Sequence, residues 1–183
     1  MVTTSNYALV ERERRWLVPE LPGDEPWARR SITDLYIEGT RIRLRRSNGV
    51  VDGRPELVHK LTQKMPGVHA VVGHCGYITT MYLDEAEYRR LSSLPGSWLS
   101  KERLSFPPIG VDLFHGPLAG LIVAEAEFRD DETMTAFVPP PWCGPEITEH
   151  PDLTGANLAR IAALPTFDAA EALSAALSSM RRR

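Results

Sequence analysis

Like charges recur at alternate positions in several short segments of this chain, and that recurrence is the strongest limit on what it can fold into. In an extended strand, side chains at i and i+2 share one face. Glu11, Glu13 and Arg15 therefore lie together in ERERR, and Arg41, Arg43 and Arg45 lie together in RIRLRR, opposite Ile42 and Leu44. Lys101 and Arg103 share a face in KERL, and Glu125 and Glu127 share one in AEAEF, opposite Ala124 and Ala126. A half-solvated strand explains any one of these alone. Together they are harder to explain that way, because doubled carboxylates and doubled cations repel along each strand. A closed barrel resolves the repulsion. Its apolar sides face outward against helices, its charged sides line the interior, and acid meets base across the lumen.

Such a lumen has a definite chemistry. Carboxylate oxygens are the hard ligands that Mg²⁺ or Mn²⁺ requires, and Mg²⁺ is commonly shared between carboxylates and substrate phosphates. Arginine forks pair bidentately with phosphate oxygens. The pattern therefore predicts a site for a chain of phosphates.

The rest of the chain agrees with a strand-dominated α+β domain. Strands are read over Tyr7–Val18, Thr33–Ile37, Thr40–Arg46, Glu56–Gln63, Trp98–Phe106, Gly110–Phe114 and Leu121–Phe128. Val68–Leu83, rich in Val, Ile, Thr and Tyr, adds one or two more, and a short last strand is read near Glu146–Thr148. SNGVVDGR reads as a hairpin connection. Glu25–Ser31 reads as a short helix begun by Asp24. Asp84 with Glu87 makes a capping box that opens another helix, Asp131–Phe137 forms a third, and Pro139–Pro141 stops it. Helices over about Asn157–Leu164 and from Asp168, with Glu171 as its capping partner, close the chain.

The 183 residues, 43% apolar and 25% charged, suit one domain over residues 1–183, with 168–183 a C-terminal helix beyond the core. The net charge of −3 argues against a general nucleic-acid binder. No apolar run is long enough to span a bilayer, and the N-terminus has no signal-peptide pattern, so a cytoplasmic protein is expected. Cys75 and Cys143 are read as free thiols. His69, His74 and Cys75 match no zinc spacing, His115 reads as structural or solvated, and Trp142 as a core anchor.

These residues resemble the CYTH superfamily of triphosphate tunnel metalloenzymes. Its first strand reads ExExK, here Glu11-Arg12-Glu13-Arg14-Arg15 with arginine in the lysine position. Arg43-Leu44-Arg45, Lys60, Lys101 with Arg103, Asp112, Glu125 with Glu127, and FVPPPWCGPEIT with Glu146 follow in the family's order, over roughly residues 7 to 165. The resemblance implies an eight-stranded antiparallel β-tunnel with helices packed outside. It implies a metal-dependent triphosphatase acting on inorganic tripolyphosphate or on an organic or nucleoside triphosphate. Glu11, Glu13, Asp112, Glu125 and Glu127 would hold Mg²⁺ or Mn²⁺. Arg15, Arg43, Arg45, Lys60, Lys101 and Arg103 would hold phosphate, and Glu11, Glu13, Arg15, Lys60 and Glu127 would be catalytic.

One departure stands out. Ile78 and Thr80 occupy the positions where the family's middle strand carries glutamates, and no carboxylate lies between Glu56 and Asp84. A binding module with little turnover, or a class IV-type adenylate cyclase, therefore stays open as an alternative. The expected partner is a small-molecule triphosphate or polyphosphate, with no membrane or nucleic-acid partner, in a monomer or homodimer.

Overall fold

Alternation of charged and apolar side chains becomes inside and outside once the strands are paired. The computed structural model describes residues 7–51, 53–65 and 74–164, with His74 and Cys75 described by backbone only. The strands are β1 (Leu9–Leu17), β2 (Ala28–Ile37), β3 (Ile42–Val51), β4 (Arg54–Met65), β5 (His74–Leu83), β6 (Gly96–Phe106), β7 (Ile109–Phe114) and β8 (Ile122–Glu127). They close into a barrel in the order β1-β5-β4-β3-β2-β6-β7-β8, and every neighbouring pair is antiparallel. Closure leaves no free sheet edge.

The outward face is apolar where helices and loops cover it. Leu35 and Leu44, fully buried, pack beneath Tyr88 of α1 (Glu85–Leu91). Asp84 caps that helix: its side chain accepts from the Glu87 amide while the Glu87 carboxylate accepts from the Asp84 amide. Tyr88 also stacks on His59 of β4, ring centres 4.4 Å apart. On the opposite wall, Trp16, Val111, Ala124 and Ala126 are covered by Phe137 and Trp142, which follow α2 (Asp131–Ala136). Trp142 therefore packs against the core, with Phe106 as its ring neighbour.

At one end the lumen itself turns apolar. Leu17, Leu99, Phe114 and Val123 share the inward face of their strands with the charged residues, yet they join Leu118, Leu121, Ile147, Leu153, Leu158 and Ala159 in one cluster. Leu158 and Ala159 belong to α3 (Gly155–Ala162). The helix and the 3₁₀ turn Pro151–Leu153 before it thus form a floor, and the barrel is a cup.

Several sequence expectations change. Glu25–Ser31 is not a helix: Ala28–Ser31 belong to β2, whose backbone pairs with both β3 and β6, and ladder bonds on two sides override the local cap signal of Asp24. The hairpin of SNGVVDGR is tighter than read, since β3 runs to Val51 and β4 resumes at Arg54, with Gly53 at φ +74°. Glu146–Thr148 makes one isolated bridge to Trp16, not a strand. His69 and the segment from Asp168 lie outside the described residues. Among the described residues no helix is long and apolar enough to cross a membrane.

Burial assigns different weights to two outward leucines on adjacent strands. Leu44→Ala, at a fully buried site, is expected to lower the unfolding free energy by about 2–5 kcal/mol. Leu57→Ala, at a position 48% exposed, should change it by no more than about 0.5 kcal/mol. Urea titration of both variants checks the contrast.

Candidate functional site

Inward-facing positions of the eight strands bring the charged residues together. From β1 come Glu11, Glu13 and Arg15; from β8, Glu125 and Glu127, paired in register with Arg15 and Glu13. From β6 and β7 come Lys101, Arg103 and Asp112, with Arg103 directly opposite Asp112. From β3 and β4 come Arg43, Arg45 and Lys60, with Arg45 opposite Lys60. Each residue of the predicted set stands on the inward face of its strand, whereas Arg41 falls just before β3 and is exposed.

Acid and base meet there as close pairs. Asp112 is held on three sides: by Lys101 Nζ at 2.5 Å, Arg103 Nε at 2.6 Å and Arg103 Nη2 at 2.7 Å. Arg103 Nη2 also bonds Glu125. Gly110, next inward position on β7, makes room for this side chain, since a Cβ there would meet Arg103 Cδ at 3.2 Å. Burial alone would raise the Asp112 and Glu125 carboxyls, but Lys101 and Arg103 outweigh it at Asp112, and Arg103 does so at Glu125. Both are carboxylates near neutral pH.

Glu13 behaves differently. It is 6% exposed, its Oε2 has no hydrogen-bond partner, and burial, reinforced by the nearby Glu125, raises its pKa to about 8. Its nearest cation contact on β1 is Arg15 Nε at 3.7 Å. Arg15 itself is committed to the floor: Nη1 donates to the Leu153 carbonyl at 2.8 Å and Nη2 to the Thr148 carbonyl at 3.1 Å. Its planar fork thus ties β1 to the segment leading into α3, a use of donors distinct from the phosphate contact expected at this position.

Besides the Arg30–Glu56 pair nearer the rim, 2.9 Å apart, two inward groups escaped the sequence reading. Asp34 on β2, fully buried, forms a bidentate pair with Arg45, both bonds 2.7 Å, and lies 3.8 Å from Arg43 Nε. Lys64 on β4 bonds Glu11 Oε1 at 2.7 Å. Asp34 is a lone charge in ITDLYI, with no like neighbour two positions away, so alternation did not flag it. Lys64 was lost because β4 was read as ending at Gln63; its spacing from Lys60 would have revealed it.

Three inward positions carry different chemistry. Ile78 and Thr80 face the lumen in register with Lys64 and Thr62, and the Thr62 and Thr80 hydroxyls bond each other at 3.1 Å. Tyr82, on the same face and 72% exposed, has Lys60 Nζ 5.1 Å from its ring centre. Among the described residues neither Lys60 nor Glu127 makes an ion pair, and no three acidic, histidine or cysteine side chains are already gathered as a metal cluster. His115 is exposed and apart from the lumen, and Glu146 bonds Arg14 on the outside.

Asp34 generates a pH prediction. Burial would raise its carboxyl, but Arg45, followed by Arg43 and Lys101, holds it at about 2, below the ordinary 3.8. The native state therefore binds fewer protons than the unfolded chain, so the pair's stabilisation is present above about pH 4 and lost as pH falls through about 2. Asp34→Asn should cost about 2 kcal/mol or more at pH 7, and the gap to the unaltered protein should close between pH 4 and 2 in denaturant titrations.

No family model matches the chain. An inorganic triphosphatase from Nitrosomonas europaea is 46% identical to it over 39 residues, 21% of this chain and 26% of that protein, so the match spans about a quarter of the relative's length. The crystal structure of the inorganic triphosphatase NE1496 superposes with a TM-score of 0.52 at 25% identity, covering 87% of this chain and 95% of the other. A second structure, of the hypothetical protein NE1496, gives 0.52 at 26% identity over 81% and 97%. The closed eight-stranded antiparallel barrel is thus a fold that this chain shares with the inorganic triphosphatase structure.

Proposed function

We propose that this protein is a divalent-metal-dependent triphosphatase whose cup takes a linear phosphate chain, inorganic tripolyphosphate or the triphosphate of an organic molecule. The observation that carries this reading is that two of the five buried side-chain atoms left without a hydrogen bond among the described residues face the lumen from opposite walls: Glu13 Oε2, an acceptor, and Arg43 Nε, a donor. Buried polar atoms are normally satisfied, and unsatisfied ones mark places where a ligand or ion completes the network. Here the acceptor calls for a cation and the donor for an anion. A phosphate chain accompanied by Mg²⁺ or Mn²⁺ supplies both. The inorganic triphosphatase matched in sequence and the inorganic triphosphatase structure support the same substrate class.

The oxygen-only donor set of Glu13, Glu125 and Glu127 suits a hard divalent ion. Glu127 is exposed toward the open end, and Glu13 lies buried behind it. Glu11 and Asp112, also read from the sequence as ligands, are drawn to Lys64 and to Lys101 with Arg103, and Glu125 is bonded by Arg103 as well, so an ion there would share it with that guanidinium. Bound, such an ion would neutralise phosphate charge and make the attacking water more acidic. The remaining work falls to the chain. Arg43, Arg45, Lys60, Lys101 and Arg103 grip phosphate oxygens from the walls opposite the carboxylates. Rigid strands hold these donors in place before the substrate arrives, which is where most of the rate gain in phosphoryl transfer originates. The apolar floor keeps the lower end of the phosphate chain from bulk water.

One observation favours a second reading. Ile78 and Thr80 provide no carboxylate on β5, so a cup that holds polyphosphate with slow turnover is the alternative.

Incubation with tripolyphosphate should release phosphate when Mg²⁺ or Mn²⁺ is added and none when the metal is chelated. Tight binding without release would favour the second reading, and absence of both would overturn the first and second together. Arg43→Ala should weaken tripolyphosphate binding about 10- to 100-fold, the value of one or two charge-assisted bonds, as measured by calorimetry.

A further inference from the structure

Arg30 stands on the inward face of β2 near the rim, directly opposite Arg103 on β6 and Gly49 on β3. Its side chain runs sideways over β3 toward β4. Gly49 keeps that path open, since a Cβ there would meet Arg30 Cγ at 2.7 Å. Arg30 Nη2 thereby reaches Glu56 Oε2, on the β4 residue paired with Gly49, at 2.9 Å. Arg30 Nε is buried and has no hydrogen bond.

Exchanging partners costs little at this arginine and much at its neighbours. The side chains of Asp34 and Asp112, which hold Arg45 and Arg103, are 0% and 3% exposed, so each would be stranded without its cation. Glu56 is 44% exposed, and water can take the place of Arg30. Arg103 keeps a donor in reserve, because its bonds to Asp112 and Glu125 use Nε and Nη2 and leave Nη1. Like charges directly opposite each other on neighbouring strands repel. An anion held between Arg30 and Arg103 relieves that repulsion and gives Arg30 Nε its missing acceptor.

This place is separate from the inner donors. Arg43 and Arg45 are in register with Tyr36 and Asp34, six and four residues from Arg30 along β2, roughly 20 and 13 Å of strand. Arg30 spends its length on the sideways reach, so a phosphate it holds is a different one from those held at Arg43 and Arg45.

We infer that Arg30 and Arg103 form an outer anion subsite at the mouth of the cup, which takes the phosphate furthest from the floor and makes the protein favour linear chains of more than three phosphates. Glu56 is the counter-ion that aims Arg30 until a phosphate displaces it. This rests on the phosphate-chain reading above and deepens it, since it assigns the preferred chain length and the residue that sets it.

Comparing tripolyphosphate with linear hexaphosphate tests it, on the full chain with Mg²⁺ present. Affinity is read by calorimetry where no phosphate is released, and as KM from initial rates where it is. The unaltered protein should prefer hexaphosphate by about 10- to 100-fold, the value of one or two charge-assisted bonds. Arg30→Gln should reduce that preference to the few-fold advantage a longer chain has from its several three-phosphate stretches, with tripolyphosphate affinity little changed. Glu56→Gln should do the reverse and tighten hexaphosphate binding, which loss of a merely structural ion pair would not do. Circular dichroism establishes that each variant is folded, and the Glu56→Gln comparison decides if Arg30→Gln is not. Equal affinity of the unaltered protein for the two chains, an equal loss for both in folded Arg30→Gln, or weaker hexaphosphate binding in folded Glu56→Gln overturns the inference and leaves the triphosphatase reading intact. Failure of the unaltered protein to bind either chain overturns both.

Discussion

Everything inside this barrel depends on charge compensation between buried carboxylates and buried cations. Asp34 and Asp112 are almost wholly removed from water, and each would be prohibitively expensive to ionise there alone. Each is instead enclosed: Asp34 by the Arg45 fork with Arg43 nearby, Asp112 by Lys101 and the Arg103 fork. These pairs cross between strands, β2 to β3 and β6 to β7, so they tie electrostatics to register. Slipping either ladder by one residue would turn one partner outward and leave the other buried without compensation. The same pairing that makes the lumen tolerable therefore also fixes the positions of the groups offered to a ligand.

The lumen is not uniformly compensated, and the proposed function rests on that imbalance. Cations engaged with Asp34 and Asp112 are oriented and desolvated in advance, as the proposed recognition of phosphate by geometry would require. Glu13 Oε2 and Arg43 Nε, both buried without a hydrogen bond, are where the proposed cation and phosphate would complete the network. The floor adds direction. Because Leu17, Leu99, Phe114 and Val123 fill one end with apolar side chains, a highly charged ligand can enter only from the other. Arg15 holds that floor through the carbonyls of Thr148 and Leu153, and its contact with Glu13 links the closed end to the carboxylate that most needs a cation.

Legibility in the sequence followed the doubling of charge. Glu11 with Glu13, Arg43 with Arg45, Lys101 with Arg103 and Glu125 with Glu127 repeat at two-residue spacing, and all are inward-facing. A solitary inward charge has no such signature, which is why Asp34 was passed over although it organises the arginine pair. The floor was illegible for a related reason. Leu17 and Phe114 occupy inward positions, but an apolar residue in a strand looks the same whether it faces an outer helix or a plug in the lumen, and only the packing of α3 distinguishes the two. The false helix at Glu25–Ser31 shows the limit of capping signals: a cap is a local preference of about 1 kcal/mol, and two complete ladders on β2 exceed it.

Pairing inside the cup has a consequence for how the proposed phosphate chain would enter it. A ligand cannot simply add to Arg45 and Arg103, because their forks already hold carboxylates in bidentate geometry. It must either use the donors that remain or exchange with Asp34 and Asp112. Exchange would strand a buried carboxylate, at a cost comparable to what the phosphate gains. Use of the remaining donors costs far less, and an arginine has more N–H groups than one carboxylate can occupy. The carboxylates then act as struts that aim each guanidinium. On the proposed function, Asp34 and Asp112 would contribute to recognition without touching the ligand, and the donors at Arg43 and Lys60 are where a phosphate chain would have the most to gain.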